Sequence, residues 1–258
     1  MPTALITGAS VGIGKAYANG FASRKYDLVI VARSQDKLEA LATQLRRQYQ
    51  VQVEVIVQDL SQPGVAQVIY DLLQTKNIQV DTLVNNAGFG DYGQFATRDG
   101  QRQQEMIQLN VSTLVDLTHK FLPPMQQRRS GTIINIASIA AFQPMPYLSV
   151  YAATKAFVLS FSQALWAENR DFGVKVLCVC PGPTETNFFS EAKFPDAIAA
   201  KNNQIDTVEN VVKDTFTALE KDESVVVCGG LSNQLISTLS RIMPRKTLVN
   251  LLEKQFRN

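Results

Sequence analysis

Short apolar runs alternate along this chain with longer segments in which apolar positions recur every three to four residues. Seven runs read as strands: residues 3–7, 28–32, 51–57, 82–84, 132–137, 175–180 and 224–228. Between them, helical period appears at residues 13–24, 35–49, 64–76, 101–121, 150–169 and 207–220. Strand–helix–strand alternation predicts an α/β fold: a doubly wound parallel sheet with helices on both faces. The runs Ala-Leu-Ile-Thr (4–7) and Leu-Val-Ile-Val-Ala (28–32) are almost wholly apolar, as strands covered on both faces must be.

Two stretches leave this rhythm. Residues 188–203 follow a Pro-Gly turn without clear period and read as a candidate lid. After Gly229-Gly230 the chain continues for 28 residues as two amphipathic pieces separated by Pro244. Leu235, Ile236, Leu239, Ile242 and Met243 mark one apolar face; Leu248, Val249, Leu251, Leu252 and Phe256 mark the other. Packing on the body or a sister subunit, covering a substrate pocket and touching a membrane surface all fit this pattern.

Composition narrows the function classes. The chain has 258 residues, 45% of them hydrophobic, enough to fill a core. Lys plus Arg number 25 against 23 Asp plus Glu, so the net charge of +2 leaves no electrostatic footprint for nucleic acid. Three cysteines make no disulfide framework. Cys178 and Cys180 point to one face of a strand and Cys228 is remote in sequence, so all three read as small buried hydrophobes in a reducing compartment. One histidine, His119, cannot complete a zinc set, and no metal is expected. No apolar run approaches the ~18 residues of a membrane span. The N-terminal stretch lacks the layout of a signal peptide, so a cytoplasmic protein is expected.

Candidate chemistry begins at Gly8, Ser10, Gly12, Ile13 and Gly14, between the first strand and the first helix. Glycine lets the backbone approach a ligand, and a helix N-terminus favours an anionic phosphate, so this turn points to a dinucleotide. The spacing G-x-x-x-G-x-G differs from G-x-G-x-x-G and marks a variant. Where a carboxylate at the end of the second strand would hold a ribose 2′-hydroxyl, this chain has Arg33. A guanidinium pairs with a 2′-phosphate that a carboxylate would repel, so NADP(H) is expected over NAD(H).

Tyr151 and Lys155 lie four residues apart, on one helix face, and Ser138 follows an apolar strand 13 residues before Tyr151. A phenol working as a base near neutrality must fall by about 3 pKa units from 10, which costs about 4 kcal/mol. An ammonium at ~4 Å contributes on the order of 4 kcal/mol at an effective dielectric of ~20, and desolvation opposes it. A positively charged oxidised nicotinamide would supply the remainder. In the reductive direction the neutral phenol is simply the donor.

With these motifs in register, the sequence resembles the short-chain dehydrogenase/reductase family, over Thr3 to about Gly230. Thr7–Gly14 is similar to the family's cofactor loop, Asp59 and Leu60 to its adenine contact, and Asn85, Asn86, Ala87 and Gly88 to its motif after the fourth strand. Asn110, Ser138, Tyr151 and Lys155 align with its catalytic tetrad. Pro181, Gly182, Thr184 and Thr186 resemble the segment that holds the nicotinamide carboxamide. The resemblance implies a Rossmann-type sheet of seven parallel strands and a homodimer or homotetramer. It implies that Tyr151 is the general acid/base, that Ser138 orients the substrate oxygen and that Lys155 tunes Tyr151 and binds the ribose. Asn110 would hold the water linking Lys155 to solvent. One departure is Val11, where many NADP-preferring members carry Lys or Arg, so cofactor preference rests on Arg33 and Ser10. The wider pattern looks like ketone, hydroxysteroid and 3-ketoacyl reductases.

Residues 1–230 are thus expected to form one catalytic domain, with 231–258 as its helical extension. Met145, Tyr147, Leu148, Phe188 and Phe189 are candidates for an apolar pocket wall, implying a small hydrophobic carbonyl or alcohol substrate. A non-catalytic dinucleotide sensor should have lost Tyr151 or Lys155. An extended-type epimerase should show G-x-x-G-x-x-G and a longer chain.

Overall fold

The computed structural model describes residues 1–195 and 205–257. Strand β1 (Thr3–Thr7) sits in mid-sheet, where its apolar side chains are buried from both sides. It pairs in parallel with β2 (Asp27–Ala32) and with β4 (Thr82–Asn85). Strand β3 (Val53–Val57) closes one edge; β5 (Gly131–Ile136), β6 (Val174–Cys180) and β7 (Val225–Val227) continue the other. The seven strands are parallel, in the order β3-β2-β1-β4-β5-β6-β7. The chain winds outward from β1 to β3, then returns to lay β4 on the free side of β1. That reversal opens a crevice at the C-terminal ends of β1 and β4, the place where such sheets bind ligands.

Helices cover both faces. On one lie α1 (Gly12–Ser23), α2 (Gln35–Tyr49) and α8 (Val208–Glu220), whose Tyr17, Phe21, Leu38, Leu45 and Val211 pack on Ile6 and Ile30. On the other lie α3 (Val65–Thr75), α5 (Leu114–Gln127) and α6 (Ser149–Asn169), with Ile69, Leu73, Phe121 and Leu165 on Leu5, Val29 and Leu83. Odd and even residues of one strand therefore feed two cores.

The helix expected over 101–121 is three pieces. Helix α4 (Gly100–Ile107), capped by Asp99, passes into a π-helical turn at Gln108–Thr113 and then into α5. Helix α5 also outruns the expectation by continuing through Pro123 and Pro124 to Gln127. Proline removes a donor from the helix, but Met125 is fully buried there and its packing holds the last turn. Strand β3 begins at Val53 rather than 51. All three cysteines are free and buried. Cys178 and Cys180 Sγ lie 3.9 Å apart, and the sheet brings Cys228 beside them, its N–H donating to Cys180 O at 3.1 Å.

Candidate active site

The glycine turn closes the crevice between β1 and β4. Gly8, at φ +66°, donates its N–H to Val31 O at 2.8 Å. Asn86 Nδ2 donates to Thr7 O at 2.8 Å, and the N–H groups of Asn86 and Ala87 donate to Thr7 Oγ1 at 2.9 and 3.0 Å. A Cβ on Gly14 would lie 2.3 Å from Gly8 O, so only glycine lets the turn rest on the start of α1. Gly8, Ser10, Gly12 and Ile13 line a cavity of about 1010 Å³, with Asn86 and Ala87 beside them. Gly14 supports the turn from behind. Main-chain N–H groups at a helix start with no side chain in the way suit a pyrophosphate.

At one end of this cavity stand Arg33, Asp59 and Leu60. Burial pushes the Asp59 carboxyl up, but hydrogen bonds from the Ser61 side chain and main chain, together with the Arg33 guanidinium, hold it below the usual carboxylate range. Lys37, in the first turn of α2, lines the same cavity. Val11 is there too and brings no charge.

The catalytic candidates meet in mid-cavity. Ser138 follows β5, and its Oγ accepts from Ala140 N at 3.1 Å. The Tyr151 phenol lines the cavity together with Ser138. Burial pushes that phenol up to about 12, against the lowering effect of the Ser138 side chain. Lys155 lies one turn further along α6, its Nζ 5.7 Å from the Tyr151 ring centre and donating to Ile136 O at 2.8 Å. Burial brings its ammonium down to about 8. Asn110 sits in the π-helical turn, behind the cavity wall. Its Oδ1 accepts from Phe89 N at 3.1 Å, and its Nδ2 donates to Phe89 O at 3.0 Å and Thr154 Oγ1 at 3.1 Å. The side chain thereby ties the loop after β4 to the helix bearing Tyr151 and Lys155.

At the far end, Pro181, Gly182, Thr184 and Thr186 line the cavity and lead into the short helix α7 (Phe188–Glu191). Met145, Leu148, Phe188 and Phe189 form an apolar wall, with Phe188 centred 5.1 Å from Tyr151. Tyr147 does not reach the cavity: at φ +64° it turns away and stacks on Tyr92 at 5.8 Å. Of the expected lid, residues 196–203 lie outside the described residues. Leu252 and Phe256 of the tail also line the cavity, as does Phe194, which no sequence signal marked. Leu252 and Phe256 belong to α10 (Arg245–Phe256), which follows α9 (Gly230–Ile242). The Tyr92 hydroxyl donates to Phe256 O and secures this tail over the cavity. Of the three readings open for the tail, its inner side is thus a pocket cover.

A nicotinamide dinucleotide fits these residues. The glycine cradle lacks the Cβ atoms that would fill it, a buried acid and a buried cation stand further in, and an apolar wall lies beyond them. The site brings a phenol, Tyr151, and a hydroxyl, Ser138, into one cavity with the glycine turn.

Comparison with known proteins agrees with this geometry. A family model described as short chain dehydrogenase matches residues 2–195. A very-long-chain 3-oxoacyl-CoA reductase of Anas platyrhynchos is 32% identical over 257 residues, covering 97% of this chain and 78% of its own. A short-chain dehydrogenase from Sphingobium yanoikuyae, solved in complex with NADPH, is 35% identical with a TM-score of 0.82, covering 88% of this chain and 87% of that one. The bulky-bulky ketone specific alcohol dehydrogenase from Comamonas testosteroni is 33% identical with a TM-score of 0.79, covering 94% of each chain.

Proposed function

Because the chain belongs to the short-chain dehydrogenase family and is an oxidoreductase of that family, we propose that it moves a hydride between NADP(H) and a hydrophobic ketone or the matching secondary alcohol. The observation that carries this reading is one cavity lined by the Tyr151 phenol, Ser138, the glycine turn and an apolar wall.

When bound, the nicotinamide supplies or accepts the hydride. Gly8, Ser10, Gly12 and Ile13 would hold its pyrophosphate, Asp59 and Leu60 the adenine end, Asn86 and Ala87 the middle, and Pro181, Gly182, Thr184 and Thr186 the carboxamide. Arg33 and Lys37 favour a 2′-phosphate, and the Sphingobium relative holds NADPH. In reduction, burial keeps Tyr151 neutral, so the phenol donates its proton to the carbonyl oxygen that Ser138 orients. Lys155 would bind the ribose and stabilise the phenolate left behind. Asn110 holds the water through which Lys155 exchanges protons with solvent. The apolar wall of Met145, Leu148, Phe188, Phe189 and Phe194 selects a hydrophobic group beside the carbonyl, in line with the ketone named for the Comamonas relative.

The test is NADPH-dependent reduction of bulky ketones, followed at the nicotinamide absorbance. Tyr151→Phe is expected to lower turnover by about 10²–10⁴-fold, the usual worth of a positioned acid, while the NADPH dissociation constant stays within about twofold. Turnover retained in that variant would remove Tyr151 as the acid.

A further inference from the structure

Helix α9 is built inside out. Asn233, Ser237 and Ser240 face the protein and are 7%, 9% and 2% exposed, whereas Leu235, Leu239 and Ile242 face away and are 58%, 45% and 76% exposed. The inward polar groups are satisfied where they lie. Asn233 Nδ2 donates to Cys228 O at 2.8 Å, Ser237 Oγ to Gln234 O at 2.8 Å and Ser240 Oγ to Ser237 O at 3.0 Å. Asn233 also packs against Gly182 and Gly229, which have room for it only as glycines. A helix fastened in this way cannot roll its leucines inward. Leu235, Leu239 and Ile242 stand at i, i+4 and i+7, one apolar line along α9. Leu251 of α10 is likewise 52% exposed. Exposed apolar rows of this kind mark contact surfaces.

Charge identifies the occupant. Residues 231–258 carry five basic side chains, Arg241, Arg245, Lys246, Lys254 and Arg257, against the single acid Glu253, a local charge of +4. The remaining 230 residues sum to −2. Arg245, Lys246, Lys254 and Arg257 are all exposed. We propose that this apolar row, together with the exposed basic residues of the same tail, docks on the surface of an anionic lipid bilayer, lying in the interface without spanning it. Leucine and isoleucine side chains enter the acyl boundary while lysine and arginine meet the headgroup charge. A second copy seated on the same face would bring two stretches of +4 together, which the lipid does not. No helix among the described residues is long and apolar enough to cross a membrane. The proposal stands independently of the catalytic reading.

Co-sedimentation of the full chain with vesicles tests it, using phosphatidylcholine alone and phosphatidylcholine mixed with phosphatidylglycerol. The protein is expected to partition onto the anionic vesicles, at least tenfold more weakly onto the neutral ones, and less as salt is added. Arg245→Gln and Lys246→Gln should each weaken partition about fivefold. Leu239→Glu with Ile242→Glu should abolish it while thermal stability and NADPH binding stay unchanged; Leu239→Gln with Ile242→Gln serves if the first pair fails to fold. Failure of the unaltered protein to partition onto anionic vesicles, or partition indifferent to these substitutions, overturns the proposal. A concentration-dependent dimer that the Leu239 and Ile242 pair dissolves, without vesicle binding, would assign the face to a second copy and also overturn it.

Discussion

Lys155 and Arg33 serve one cavity, but burial makes them different cations. Lys155 is nearly inaccessible and its ammonium falls to about 8; Arg33 is exposed to solvent. A bound dinucleotide adds negative charge and favours the protonated lysine, so cofactor affinity must fall as pH rises through about 8, where the free protein loses that proton. NADPH titrations between about pH 7 and pH 9.5 should show a rising dissociation constant, and Lys155→Met should flatten the profile; a flat profile in the unaltered protein would remove Lys155 from the ribose. Arg33 carries a different consequence. Charge-assisted hydrogen bonds contribute about 1.5–3 kcal/mol, so Arg33→Asp should weaken NADPH binding about 10–100-fold and NADH binding by no more than about threefold. Equal losses for both cofactors would make Arg33 a support of the loop. The glycine turn, Arg33 and the Tyr151/Lys155 pair were legible because each is local, set by spacing within a few residues. Tyr147 was misplaced because its positive φ, invisible in a list of residue types, turns it from the cavity onto Tyr92.

At the scale of elements, the strand–turn–helix unit of β1 and α1 is the most constrained part of the site. Gly14→Ala would set a Cβ 2.3 Å from Gly8 O and 2.6 Å from Asn86 Nδ2, atoms that cannot yield without moving the turn. Overpacking of this kind costs about 1–3 kcal/mol. The variant should melt earlier by that amount and bind NADPH at least tenfold more weakly, both measured on purified protein. Unchanged affinity would show that the turn has slack. The π-helical turn taught the opposite lesson about legibility. Apolar period near 3.6 continues through residues 101–121, so the sequence reads as one helix. The turn at Gln108–Thr113 is wider than a regular helix and lets Asn110 reach the Phe89 main chain. Period records which residues face the core, not how many close each turn.

Across the whole molecule, the decisive contact joins mid-chain to the tail: Tyr92, in the loop after β4, holds the main chain of Phe256 in α10. Tyr92 also packs its ring at a tilt against Phe194, 4.9 Å between centres, and donates its N–H to Ala192 O at 2.8 Å, so one residue gathers the segment after α7 and the tail over the substrate end. Tyr92→Phe removes one hydrogen bond with a net worth of about 1 kcal/mol. Steady-state kinetics with a bulky ketone should then show KM raised about threefold to tenfold and kcat within about twofold, because the acid and its neighbours are untouched. A fall in kcat at constant KM would place Tyr92 in the chemistry instead.

The sequence by itself determined the parallel α/β architecture, the dinucleotide turn, the charge at Arg33 and the Ser138, Tyr151 and Lys155 set. Each depends on short-range periodicity or on spacing along a single element. Tertiary structure alone decided the rest: that the tail covers the cavity with Leu252 and Phe256, that α9 turns its leucines outward, and that Asn110 ties two distant segments together. Those outcomes rest on contacts between residues as far apart as Tyr92 and Phe256. An amphipathic pattern shows that a helix has two faces, but not which face the rest of the molecule will bury.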